Sequence, residues 1–322
     1  MKKRLDYIDC ARGILISLMV IGHVWQSGFV FDTIYAFHMP AFFVISGILM
    51  QHTKSWEKPF GKFLWGKVLA YGIPLVWIEL LGILTEILRN GVQLNIKGYL
   101  FNTLTLNFND PNLWFLADLF LIEVLVTVLT RIIKKPAVIM SLAAVLFFAR
   151  YLLPTQLLYV STVSSVMKYL PLFLAGFVCA DRWKKVHIPT AVLCGAVVLA
   201  SVVFGSAVKG LGRIPGDLLY LLSGCCGTYA VLCIGQARLP EMWNKALVYA
   251  GKNTILIYGT HHIYYVALGL VLGVENFTAT PIGTGLIILA GVILLEIPTI
   301  YIINRWLPFL TGKLRKPARS AS

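Results

Sequence analysis

Apolar residues fall along this chain in blocks. Each block runs about 17–22 residues, long enough to cross roughly 30 Å of hydrocarbon as an α-helix. Taken in order, they predict ten membrane crossings near 13–30, 34–51, 68–88, 113–131, 136–153, 166–181, 190–208, 217–236, 254–272 and 282–304. Most of the connections between them are short and polar. The pattern predicts an all-α polytopic bundle forming a single domain over 1–322, with both termini on the same side. No internal repeat or low-complexity stretch interrupts it.

Composition agrees with that reading. The chain is 58 % hydrophobic and 13 % charged, whereas soluble domains run near 25 % charged and 45–50 % apolar. The net charge of +14 would suit a nucleic-acid partner, but its distribution points elsewhere. Only Arg89, Lys97, Arg150, Lys168, Lys209 and Arg213 fall in or next to one alternating set of connections, and the other Lys and Arg residues fall in or next to the opposite set or the termini. That asymmetry is the positive-inside signature of a polytopic membrane protein. It places 52–67, Arg131 to Lys135, Arg182 to Lys185, 237–253 and the tail from Arg305 in the cytoplasm. Basic charge then sets topology and meets anionic lipid headgroups, and nucleic acid is not an expected partner. Asp6, Asp9 and Arg12 interrupt the place where the uncharged core of a signal peptide would begin, so the first helix is expected to be retained. The six cysteines show no metal-ligand spacing.

Against this background the polar residues of the first hairpin stand out. The stretch from Arg4 to Met50 carries Arg4, Asp9, Arg12, His23 and His38 in or beside membrane-length apolar sequence. A charge near the bilayer centre costs about 2.5–3.5 kcal/mol on insertion scales, so such groups are functional candidates by default. Arg12 and His23 are eleven positions apart, which returns to within about 20° of the same helix face and about 16 Å further along it. Asp9 lies one turn before Arg12, where the two side chains can meet.

The same stretch resembles the signature of the integral-membrane acyltransferase-3 family, which includes fucose 4-O-acetylase-like and polysaccharide O-acetyltransferases. Arg4, Asp9, Arg12-Gly13, His23, Phe37-His38-Met39-Pro40, Phe42-Phe43 and Ser46-Gly47 occupy the signature positions in order. Two later segments carry a looser likeness: Leu113-Trp114-Phe115-Leu116, and Gly251…Thr254…Tyr258…His261. In the first of these the family's usual glutamate position is changed, and Asp118 follows Trp114 by four residues. The resemblance implies transfer of an acyl group, most simply acetyl from cytoplasmic acetyl-CoA, to a hydroxyl of a glycan or lipid-linked sugar at a bacterial plasma membrane. No metal is implied.

On that reading His23 is the general base or a transient acyl carrier, since an imidazole near neutral pKa can take and return a hydroxyl proton. Residue types alone do not separate the two routes, nor exclude a histidine simply hydrogen-bonded inside the bundle. Arg12 is suited to forked phosphate contacts with the donor, held by Asp9. Arg4, His38, Trp114, Asp118 and His261 are candidate substrate contacts, with His38 expected at the outer end of the second helix. Trp114 also suits an interfacial anchor. His261-His262 is adjacent, so the two rings point about 100° apart and suit a metal poorly. Glu79 and Glu296 are expected to pair with a cation or with backbone freed by the nearby prolines. The polar stretch 89–112 is long enough to belong to a substrate mouth. The competing reading is a transporter or flippase of a sugar- or lipid-linked substrate, with the buried charges lining its path. A structural or sensory role is the third.

Overall fold

The computed structural model describes residues 5–90, 98, 113–154, 162–274 and 276–312. Arg4, nearly all of 89–112 and the basic tail from Lys313 lie outside the described residues. Among the described residues there is no strand, and each of the ten apolar blocks contains or forms a helix. Six helical spans are long and apolar enough to cross a membrane: Asp6–Val24 (α1), Gly28–Thr53 (α2), Phe60–Arg89, Arg213–Gln236, Thr254–Val271 and Ile282–Trp306. The third span comprises α3 (Phe60–Lys67) and α4 (Ile73–Asn90), joined by a π-helical turn over Val68–Gly72. The remaining blocks are α5 (Trp114–Ile132), α6 (Pro136–Ala149), α7 (Thr162–Val178) and α8 (Ile188–Val203). A short α9 (Gly205–Gly210) leads into α10 (Arg213–Gln236), and α12 (Thr254–Val271) and α13 (Ile282–Trp306) close the bundle. The chain is an all-α, multi-pass membrane protein.

Two expectations need correction. The first helix runs Asp6–Val24, not 13–30, because Asp6 and Asp9 sit in its first turn, where carboxylates oppose the positive end of the helix dipole. His23 therefore stands in the last turn of α1 and not just past its middle. The stretch 237–253, read as a connection, is largely helical: Glu241–Lys252 forms α11, which packs along α1. Both helices carry a glycine at the crossing. A Cβ on Gly13 would overlap the Leu247 carbonyl oxygen, and one on Gly251 would overlap that of Asp9.

The same device holds α2 in place. Gly47 faces the Phe173 carbonyl and Gly176 faces that of Val44, so α2 and α7 meet backbone to backbone. On another face of α2, Pro40 fills the space above Gly224, and the Phe37 ring that above Gly227, both on α10. Lipid tails are as apolar as leucine, so helices in a bilayer gain by packing closely, and small residues make that approach possible. Glycine and proline positions of the signature stretch are thus packing positions. They fix the places of the polar ones.

Candidate functional site

Asp9, Arg12 and His23 follow one another along α1. Asp9 is buried and its Oδ1 lies 3.7 Å from Arg12 Nη1. Arg12 lines a cavity of about 540 Å³ open towards the Lys-rich end of the bundle. Lys58, Lys62 and Lys67 reach the same space from the segment after α2. Deeper, the lining becomes apolar and aromatic: Met19, Met39, Phe42, Phe115 and Tyr258. Three cations of the 52–67 stretch, which charge counting assigns to topology alone, therefore surround this cavity together with Arg12.

One of them is held from across the bundle. Lys67 forms an ion pair with Glu123 of α5, and Tyr71 donates to the other carboxylate oxygen at 2.9 Å. Lys67 directly precedes the π-helical turn between α3 and α4 and Tyr71 lies within it, and both reach one carboxylate. Such turns recur at functional sites.

The segment with the late likeness converges on the same place. Thr254 and Tyr258 line the cavity. Asn253 and Thr254 mark the break between α11 and α12, where Thr254 Oγ1 donates to the Gly251 carbonyl at 2.8 Å and Asn304 donates to Asn253 at 2.7 Å. One turn beyond Tyr258, His261 is fully buried with its ring 5.0 Å from that of His23. Chain segments more than 200 residues apart thus meet, and each brings a histidine.

Aromatic rings order this histidine pair. Tyr265 stacks on His23 with centroids 5.7 Å apart, and Tyr35 approaches it edge-on at 6.3 Å. His262 lies 5.2 Å from Tyr265. His261 Nδ1 lies 2.9 Å from the Ile257 carbonyl and 3.0 Å from that of Tyr258. A carbonyl only accepts, so Nδ1 carries the proton and a neutral ring keeps its lone pair on Nε2. His38 follows the same rule: it is 1 % exposed, and its Nδ1 donates to the Ile34 carbonyl at 2.9 Å. It sits well inside α2, not at its outer end, and is linked to His23 through Tyr35, whose ring centroid is 4.6 Å away. Although several histidines gather here, no group able to hold a metal ion occurs among the described residues.

The cavity does not reach His23 itself. Met19 and Tyr258, one turn before His23 and His261, form its deep end. Cavity and histidines are consecutive along α1 and α12: cations, then an apolar neck, then paired imidazoles.

Trp114 and Asp118 lie apart from this axis. Trp114 is not placed as a lone interfacial anchor but packs in a wall of rings with Phe43, Phe115 and Tyr169, stacking on Tyr169 at 5.5 Å. Asp118 is fully buried and accepts from Ser165 of α7. Glu296 accepts from Thr260 at 2.7 Å, a hydroxyl partner in place of the expected cation or backbone group. Glu79 is buried on α4. Tyr35, Tyr265 and the cavity lysines carry no signal in the spacing of the chain; only their positions in the bundle bring them in.

Residues 5–300 match the Acyl_transf_3 family, described as an acyltransferase domain. The chain belongs to this family and is a membrane acyltransferase. No curated protein and no solved structure gives a significant match.

Proposed function

We propose that this protein moves an acetyl group from cytoplasmic acetyl-CoA to a hydroxyl of a cell-surface glycan or glycolipid precursor, at the plasma membrane of a bacterium. The observation that carries the reading is the succession of a four-cation mouth, an apolar neck and a histidine pair along one axis. Arg12, Lys58, Lys62 and Lys67 suit the phosphates of the donor, since guanidinium and ammonium groups make charge-assisted contacts to phosphate oxygens. The pantetheine arm then has an apolar neck to occupy. It delivers the thioester towards His23, about 16 Å beyond Arg12 by helical rise.

In the transfer, His23 takes the proton of the acceptor hydroxyl while its oxygen attacks the thioester carbonyl carbon. The C–S bond breaks, the coenzyme sulfur leaves as thiolate, and the proton passes to it. The products are an O-acetyl ester and free coenzyme A thiol. His261, with Nδ1 tied to backbone and Nε2 basic, is positioned to steady the charge that develops on His23 or to share its proton. A histidine that briefly carries the acetyl group produces the same products in two steps.

The test is thiol release. Purified protein in neutral detergent, given acetyl-CoA and glycan acceptors from the source cell, is expected to release thiol in proportion to acceptor. A transporter needs two compartments and releases none under these conditions. Absence of thiol release with every acceptor, while sealed vesicles still accumulate the substrate, would overturn the proposal in favour of transport.

A further inference from the structure

A second cavity, of about 550 Å³, lies where α6, α7, α9 and α10 meet. It opens at the end of the bundle opposite Arg12: the far end of α10, at Gly235, packs on Tyr7 at the start of α1, whereas the cavity takes Arg213 and Asp217 from the start of α10. Cations are scarce on this side of the chain. Of the six Lys and Arg residues in this set of connections, Arg150, Lys168, Lys209 and Arg213 all line this one space.

Among the described residues, Asp217 answers Arg150 and Lys168. Asp217 accepts from Arg150 Nη2 at 2.7 Å and Tyr151 at 2.8 Å, and pairs with Lys168 at 2.9 Å. Arg150, Lys168 and Lys209 against Asp217 leave a positive concavity, and low-dielectric walls concentrate its field on an incoming ligand. Arg150 is 6 % exposed. Its Nε donates to Ser164 at 3.2 Å and its Nη2 to Asp217, yet its buried Nη1 has no hydrogen-bond partner among the described residues. A buried charged donor left unmatched is costly, and native proteins satisfy such groups from protein, water or ligand. The feature is a cation-lined concavity with one buried donor in reserve.

We propose that this cavity binds an oxyanion, phosphate or carboxylate, carried by the acceptor and presented from the face opposite the donor mouth. This rests on the acyl-transfer reading, and adds that the acceptor is anionic. Because Pro40 and Phe37 seal α2 onto α10 at Gly224 and Gly227, the cavity and the histidine pair lie on two sides of α2. The charged group held here is therefore a different part of the acceptor from the hydroxyl acetylated.

The experiment is calorimetric titration of the full chain in phosphatidylcholine nanodiscs with glucose 1-phosphate, glucuronic acid and, as the neutral control, glucose. At least one anionic sugar should bind ten-fold or more tighter than glucose, with affinity falling as salt rises. The double variant Lys209→Gln/Arg213→Gln, whose side chains lie at the exposed rim, should lose ten-fold or more of that affinity while its melting temperature and acetyl-CoA binding hold. Arg150→Lys keeps a cation for Asp217 but removes the reserve donor, and should weaken the anion as well. Equal binding of glucose, or variants that bind like the wild type, would overturn the proposal. So would a site that responds only when phosphatidylglycerol replaces phosphatidylcholine, since the anion would then be a lipid headgroup. Because binding is read without turnover, loss of thiol release with anion binding intact would instead strike the acyl-transfer reading.

Discussion

His23 and His261 lie with ring centroids 5.0 Å apart at a 50° tilt but are held differently, and this sets distinct expectations for their replacement. His23→Ala should lower acetyl transfer by about 10²–10⁴-fold, the usual contribution of a general base, with donor affinity nearly unchanged. His23→Gln keeps polarity and hydrogen-bonding capacity but takes up no proton near neutral pH; it should be as inactive as the alanine form. Thiol-release rates on the two variants decide this, and near-normal turnover of the glutamine form would make His23 a structural hydrogen-bonding residue. Arg12→Ala should behave oppposite in kind, weakening acetyl-CoA binding by about 1.5–3 kcal/mol through loss of a charge-assisted phosphate contact; equilibrium binding of the donor to the inserted protein measures it. Asp9, Arg12, His23 and His261 were legible as candidates because polar groups in apolar helices are conspicuous. Lys58, Lys62 and Lys67 were not, since a lysine that lines a cavity and one that only orients a helix look the same in a one-dimensional charge count. The meeting of His23 with His261 depends on which helix faces pack together, and only the family likeness of two distant segments hinted at it.

Between the residues and the bundle stand the helix pairs, and the most consequential is α1 with α11. The pattern of apolar blocks anticipated the long helices because burial in hydrocarbon leaves helix as the way to satisfy backbone polar groups. It missed α11 for the converse reason: Glu241–Lys252 is polar enough to read as a connection, and its helix gains stability from α1. The crossing is so close at Gly13 and Gly251 that α11 lies directly against the Asp9 backbone, beside the Asp9–Arg12 pair. Gly251→Val should therefore push α11 off α1 at a cost of about 1–3 kcal/mol or more, the range for overpacking a filled contact. The expected result is a lower melting temperature in detergent together with weaker acetyl-CoA binding, because the displaced backbone carries Asp9. Gly195→Val is the control, as open space surrounds a Cβ there and the site is distant on α8; it should change neither. A Gly251→Val protein with wild-type melting and donor affinity would show that α11 is not what holds Asp9 in place.

At the scale of the whole molecule, the two cavities are separated by a wall of rings, Phe43, Trp114, Phe115 and Tyr169. Phe115 faces the cavity at Arg12, and Tyr169 faces the one at Arg150. A two-sided arrangement suits a donor made on one side of a membrane and an acceptor displayed on the other, provided the Arg12 mouth faces the cytoplasm. Orientation is what the charge distribution predicts: a Lys- and Arg-rich end is retained on the cytoplasmic side, and the end bearing Lys54, Lys58, Lys62 and Lys67 is the same end as the start of α1. Reporter fusions placed after Lys62 and after Lys185 should accordingly read cytoplasmic, and a fusion after Gly212, at the start of α10, should read external. The third position matters most, because Lys209 and Arg213 flank it and would resist translocation if the cavity they line were not outward-facing. An external signal at Lys62 would invert the bundle, put the four-cation mouth where coenzyme A thioesters are not made, and leave the succession of mouth, neck and histidine pair without a donor to serve.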